Sequence, residues 1–234
     1  MNFYNKRKSR TGLFSLLKSL SVVAWLIVIT SIFSIIGFFI FSRSEELVNL
    51  IALKPSNILQ GKYLWTLLLH MFIHGGIAHL FINMFVLFSL GSLSEKIIGR
   101  KRFFWFYIIS GLFAGILSVL LSGYLGNTLL GERIFGSPDI FMVGASGAIF
   151  AIAGLYVMLL PRLKFMIIFL PFFSLPAYIM VPLVLVIMWI ASAIAGWPIG
   201  NVAHFGGFLS GIIYGAYLRN KYKRKVQRLQ HMFR

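Results

Sequence analysis

Phe141-Met142-Val143-Gly144-Ala145-Ser146-Gly147-Ala148-Ile149-Phe150 sets one serine among residues too small to crowd it, at the start of an apolar run. That run has the length of a membrane-spanning helix. A serine hydroxyl is a weak nucleophile until a base takes its proton, so Ser146 raises the question of which base the chain can bring to it. The best candidate lies downstream in Ala203-His204-Phe205-Gly206-Gly207. A second imidazole and an amide stand on adjacent turns of an earlier helix, in His79-Leu80-Phe81-Ile82-Asn83.

Moving outward, the surroundings are those of a bilayer. Of 234 residues 59% are hydrophobic and 12% charged, with a mean hydropathy of +0.89, which excludes an ordinary soluble domain. The apolar runs are continuous and not alternating, which argues for helices and against a barrel. The chain has no cysteine, hence neither a disulfide framework nor a thiolate metal site. A net charge of +17 would suit a nucleic-acid binder, but the basic residues sit in clusters between the apolar runs, so no nucleic-acid partner is expected.

Six spans are expected, at about 20–41, 77–93, 103–121, 141–160, 177–195 and 199–218. Residues 43–76, with Pro55, Gly61 and Tyr63-Leu64-Trp65-Thr66, are too interrupted to span and read as a structured loop at the membrane interface. Residues 122–140 read as a polar connection, and Pro171 and Pro176 as a short irregular approach to the fifth span. Gly196-Trp197-Pro198 reads as a turn. With that layout 18 of the 22 Lys and Arg fall on the side of both termini, leaving Arg43, Lys54, Lys62 and Arg133 on the other. The positive-inside rule then makes both termini cytoplasmic. The expected organisation is a basic segment over 1–18, a six-span core over 19–218 and a basic tail over 219–234, retained without signal-peptide cleavage.

Spans two, four and six then all start from the outer side. Ser146 and His204 would each lie about 7 Å below their helix starts, and His79 and Asn83 about 3 to 9 Å, so three helices present polar groups in one layer. Serine is common at helix contacts, but four such groups at one depth point to a shared site. Gly207, Gly211 and Gly215 follow His204 at a spacing of four, and Gly147 and Ala151 follow Ser146. Such stripes let spans four and six approach closely enough for a Ser-His hydrogen bond. Attack on an amide would create an oxyanion needing donors, and Asn83, His79 and the Ser146 backbone amide can supply them. No acidic residue lies at that depth, so the expected machinery is a dyad with a packed, not carboxylate-bound, imidazole.

These motifs resemble the rhomboid intramembrane serine proteases. The resemblance is carried by Gly144-Ala145-Ser146-Gly147, by Ala203-His204 with Gly207 and Gly211, and by His79 with Asn83. Phe72, His74, Gly91, Glu95, Gly99, Tyr107 and Ser110-Gly111 extend it over about residues 53–217. It implies cleavage of transmembrane segments of other proteins near the outer leaflet, with Ser146 as nucleophile and His204 as base. His79, Asn83 and the Ser146 amide would bind the oxyanion, Gly144 would lie beside the scissile bond, and Phe150 would lie near the substrate. The 43–76 loop would be half-embedded in the membrane. Two positions depart from many relatives: Thr66 follows Trp65 where an arginine is common, and Phe150 stands where some carry tyrosine, keeping the ring without the hydroxyl.

His70 and His74 at a spacing of four, with His79, could suggest a metal, but no His-Glu-x-x-His is present, so neither metal nor other cofactor is expected. These histidines are expected to hydrogen-bond within the loop instead. A transporter would want an inverted repeat, which the two halves lack, and a silent binding protein would have no use for Ser146. The compact core suggests a prokaryotic plasma membrane.

Overall fold

The structure, a computed structural model, describes residues 20–167, 170–195 and 200–233. The basic segment 1–18 and the turn at 196–198 lie outside them. The long helices are α1 Val22–Phe41, α2 Ile77–Ile98, α3 Arg100–Leu125, α4 Ser146–Leu159, α5 Ala177–Ala195, α6 Asn201–Lys221 and α7 Lys223–Met232. Among the described residues four of them, α1, α2, α3 and α5, are long and apolar enough to cross a membrane. α4 has only 14 residues, and α6 has 21 but is interrupted by His204, Ser210 and four glycines.

Polar and apolar groups are distributed as a lipid solvent demands. On α1, Thr30 and Ser34 are fully buried while Ile32 and Ile36 are about half exposed, at 52% and 53%. Outward isoleucines recur on α3 and α5, at Ile109, Ile187 and Ile194. α4 shows the other extreme, with Gly147, Ala148, Ile149, Ala151, Ile152, Ala153, Gly154, Leu155 and Tyr156 all buried. A helix walled in on every side by protein need not match the bilayer, so 14 residues, about 21 Å, suffice.

α4 and α6 touch backbone to backbone. A methyl on Gly207 would collide with the carbonyl oxygen of Gly147, and one on Gly211 with that of Ala151. α2 contains a widened π-helical stretch at Leu87–Gly91, and the Tyr156 hydroxyl of α4 donates to the Leu90 carbonyl there at 2.7 Å. Glu95, two residues past the expected end of the second span, is only 6% exposed. Its two carboxylate oxygens accept from the Val22 and Val23 amides at 3.0 and 2.9 Å, satisfying the open N-terminus of α1.

Three expectations are corrected. The fourth helix starts at Ser146, not near 141: Gly144 adopts φ +127°, and Met142 pairs antiparallel with Leu53 through bonds of 2.7 and 3.0 Å. The approach to the fifth span is a β-hairpin, β1 Lys164–Ile167 against β2 Leu170–Pro176, with Lys164 opposite Pro176. Prolines bar a helix there and the aromatic, β-branched sequence favours strand, so the chain is mostly helical and not all-α. The connection after α3 contains a helix, Leu129–Phe135, tied back by Ser122 Oγ donating to the Phe135 carbonyl at 2.7 Å.

Candidate active site

The site begins with a break in the chain's regularity. The chain at 141–143 is kept out of helix because Met142 is stitched to Leu53 of the 43–76 loop, and Gly144 then turns the chain with a positive φ that side chains disfavour. The helix therefore opens on Ser146 itself. Its first hydrogen bond runs from the Ile149 amide to the Ala145 carbonyl at 3.1 Å, leaving the amides of the opening residues outside the ladder.

α6 starts three residues before His204 and lies against α4 along the glycine stripe. That contact sets His204 Nε2 2.7 Å from Ser146 Oγ. His204 is 6% exposed, and its ring lies on that of Phe150 with centroids 4.7 Å apart and planes at 31°. Its Nδ1 is buried with no hydrogen-bond partner among the described residues. The imidazole is thus held by packing and by Ser146, with no carboxylate on its far side.

Gly144 separates Ser146 from His79. A side-chain carbon on Gly144 would stand 3.1 Å from His79 Nε2 and 3.8 Å from Ser146 Oγ, so the missing side chain keeps open the space between the two. Asn83 is buried one turn further along α2, and its amide nitrogen donates to the His79 carbonyl at 2.9 Å. Ser146, His204, Phe150, Gly144 and His79 are therefore gathered around one point. Asn83 backs His79 from within the same helix.

A second set of residues holds the turn before Ser146: His70 and His74, expected to hydrogen-bond within the loop, and Ser34, which sequence reasoning left unassigned. The Gly144 amide donates to the His70 carbonyl at 2.9 Å, and the Ala145 amide donates to His74 Nε2 at 3.4 Å. Ser34 Oγ lies 3.0 Å from His74 Nδ1 and 3.1 Å from the Phe72 carbonyl. One assignment satisfies all three contacts: His74 accepts at Nε2 and donates at Nδ1, and the Ser34 hydroxyl passes its own proton to Phe72. His74 is fully buried and meets the His79 ring edge-on at 4.9 Å. The signal that could have found Ser34 is a hydroxyl inside an apolar span. For His74 the loop hydrogen bonding is expected, but its particular partners, Ser34 and Ala145, depend on tertiary contact.

His70 is occupied by Thr66, whose carbonyl lies 2.9 Å from Nδ1, so His70, His74 and His79 point to separate partners. Among the described residues no group of three or more His, Cys, Asp or Glu is arranged to hold a metal ion. Thr66, in the place of the common arginine, is buried and donates to the Tyr63 carbonyl at 2.8 Å, closing the turn locally. His231 is exposed.

Fold and site together define a helical membrane protein with a serine and a histidine hydrogen-bonded between two buried helices. A family model described as the Rhomboid domain matches residues 61–221. Rhomboid protease GluP of Bacillus subtilis is 32% identical over 179 residues, which are 76% of this chain and 30% of that protein. The human presenilin-associated rhomboid-like protein, mitochondrial, is 32% identical over 152 residues, 64% of this chain and 37% of that one. RHOMBOID-like protein 5 of Arabidopsis thaliana is 30% identical over 189 residues, 73% of this chain and 55% of it. The chain belongs to the rhomboid family. It spans between about a third and about half of the length of these relatives.

Proposed function

We propose that this chain is an intramembrane serine endopeptidase that cleaves transmembrane segments of other membrane proteins through a Ser146–His204 dyad. The observation that carries the reading is the 2.7 Å separation of Ser146 Oγ and His204 Nε2, made by a helix contact with no side chain at its closest points. His204 takes the hydroxyl proton as Oγ attacks the scissile carbonyl, and returns it to the leaving amine when the C–N bond breaks. Water then hydrolyses the acyl-enzyme with His204 again as base. The oxyanion is received by the Ser146 amide, His79 and Asn83, each such donor contributing about 3 kcal/mol. Gly144 leaves room for the substrate backbone beside Ser146, and Phe150 seats the imidazole.

The same reading has six spans, α1 to α6, with the 43–76 loop half-embedded in the membrane. Exposed Leu64, Trp65 and Leu68 on that loop, with Trp65 Nε1 donating to the Leu50 carbonyl at 2.9 Å, are in keeping with this. Both termini are assigned to the cytoplasm, with 19–218 as the protease core, 1–18 and 219–234 as basic flanks, and cleavage near the outer leaflet. The compartment we assign is a prokaryotic plasma membrane. Substrate helices would unwind near the surface, since a hydrogen-bonded helical carbonyl resists attack.

The test is cleavage of a single-span substrate by the purified full chain in liposomes, with Ser146→Ala and His204→Ala alongside and a fluorophosphonate probe of Ser146. Cleavage and labelling by the wild type, both lost in the variants at unchanged thermal stability, are expected. Labelling that persists in Ser146→Ala, or equal cleavage by all three, overturns the assignment.

A further inference from the structure

The end of the bundle opposite the site carries a cluster of cations around one ring, and among the described residues no carboxylate pairs with them. Tyr222 joins α6 to α7, and three cations from three elements surround its ring. The Arg102 guanidinium carbon, in the first turn of α3, lies 5.6 Å from the ring centre and its Nη2 donates to the hydroxyl at 3.3 Å. Lys221 Nζ, at the end of α6, lies 5.9 Å from it, and Lys225 Nζ of α7 lies 5.8 Å from it. Lys221 also donates to the Tyr217 hydroxyl at 2.7 Å.

The chain's five acidic residues are placed elsewhere. Glu132 and Asp139 follow the far end of α3, which at 26 residues is about 39 Å from its start. Glu45 shares Lys54 with Asp139 there, at 3.5 and 4.0 Å, and Glu46 is its neighbour in sequence. Glu95 is committed to the Val22 and Val23 amides and to Arg100 Nε at 3.4 Å. Three positive charges so close repel one another and favour a shared anion.

Their level in the molecule identifies that anion. Arg102 immediately precedes the apolar run of α3 and Lys221 closes that of α6, so the cluster stands at a membrane–water boundary, where tyrosine is at home. α7 lies against the bundle: Val226 is buried, Leu229 and Phe233 pack on the core, and Gln230 donates to the Leu159 carbonyl at 3.1 Å, at the end of the Ser146 helix. Its Lys223, Arg224, Lys225 and Arg228 stay exposed. A basic amphipathic helix so placed is built for an interface of anionic lipid.

We propose that Arg102, Lys221 and Lys225 around Tyr222 bind the phosphate of an anionic phospholipid headgroup, clamping α7 to α3 and α6. The test titrates the purified full chain in nonionic detergent with short-chain phosphatidylglycerol, phosphatidylcholine or inorganic phosphate and follows the thermal midpoint. Phosphatidylglycerol should raise the midpoint saturably. The half-saturating concentration should rise about fivefold in Lys225→Gln, an exposed change that spares folding, and about a hundredfold when Arg102→Gln and Lys221→Gln are added. A control removing the same charge from α7 residues that are not among the three cations around the Tyr222 ring, Lys223→Gln with Arg224→Gln and Arg228→Gln, should keep the response within about twofold of wild type. An equal loss in that control means diffuse attraction and overturns the site. So does an equal response to phosphatidylcholine, or a shift reproduced by inorganic phosphate alone.

Discussion

Ser146 is held from two sides by opposite means. Toward α6 the contact is made by leaving side chains out: Gly207 faces the Gly147 carbonyl and Gly211 that of Ala151 with no room for a methyl. Toward the 43–76 loop it is made by side chains and directed hydrogen bonds, His74 accepting from Ala145 and leaning on Ser34. The first kind of contact fixes a distance and tolerates nothing added. The second fixes an orientation, and can be weakened one bond at a time.

The largest effect should follow from filling the glycine contact. Gly207→Val must push α6 from α4, stretching the 2.7 Å Ser146–His204 bond. A displacement of about 1 Å costs about a hundredfold in a positioned reaction, so cleavage should fall at least that far, with a lowered melting temperature. Gly76→Ala is the counterpart on the loop side. Its φ of 173° is ordinary extended backbone and nothing lies within 4 Å of the added carbon, so activity should stay near wild type. Comparable losses in the two would mean that the glycine stripe has no special part in holding the pair.

On the loop side, His74→Ala strands the Ala145 amide, while the Ser34 hydroxyl keeps its bond to the Phe72 carbonyl. Leaving a buried amide unsatisfied costs about 1–3 kcal/mol, so urea or thermal unfolding should show a loss in that range, with cleavage reduced but not abolished. Ser34→Ala removes the contacts to His74 Nδ1 and the Phe72 carbonyl but leaves the Ala145 amide paired with His74, and should reduce cleavage less. A His74→Ala protein as stable as wild type would remove the directed-bond account of the loop.

The same histidine ties the loop to pH. Burial first, and the nearby His79 second, hold its pKa down to about 3. A histidine ionises near 6.5 when unfolded, so its neutral form contributes stability that is complete above about 6.5 and lost as pH falls toward the folded value. The slope is about 1.4 kcal/mol per pH unit across that window. His70 is likewise pushed down by burial, to about 4, so His74→Gln should flatten only part of the acid-side fall in melting temperature. An unchanged slope would place the titration elsewhere.

How far the chain could be read in advance follows the same division. The glycine contact repeats every four residues along one helix, a local regularity, and it was enough to bring Ser146 and His204 together on paper. The loop contacts are not periodic. Met142 pairing with Leu53, and Ala145 with His74, join residues about 70 to 90 apart, so the non-helical stretch 141–145 read as helix and the true start at Ser146 was hidden. Glu95 misled for a related reason: a charge after an apolar run reads as a span leaving the membrane, whereas here it serves the N-terminus of another helix. The 164–176 hairpin failed on pairing as well, because Pro171 and Pro176 exclude helix without saying which strand will form.

The smallest expected effect tests what holds the imidazole itself. His204 Nδ1 has no partner among the described residues, so its orientation rests on the Phe150 ring 4.7 Å away and on Ser146. An aromatic pair contributes about 0.5–1.5 kcal/mol, and Phe150→Ala should therefore lower kcat about threefold to tenfold, with a smaller change in KM, since in the proposed mechanism the ring chiefly orients the base. Phe150→Tyr keeps the ring and adds the hydroxyl that some relatives carry, and should stay within about twofold of wild type. If the tyrosine variant instead fell as far as alanine, the ring would be doing its work by close fit at its edge, and this side of the site would belong with the glycine contact, where nothing can be added.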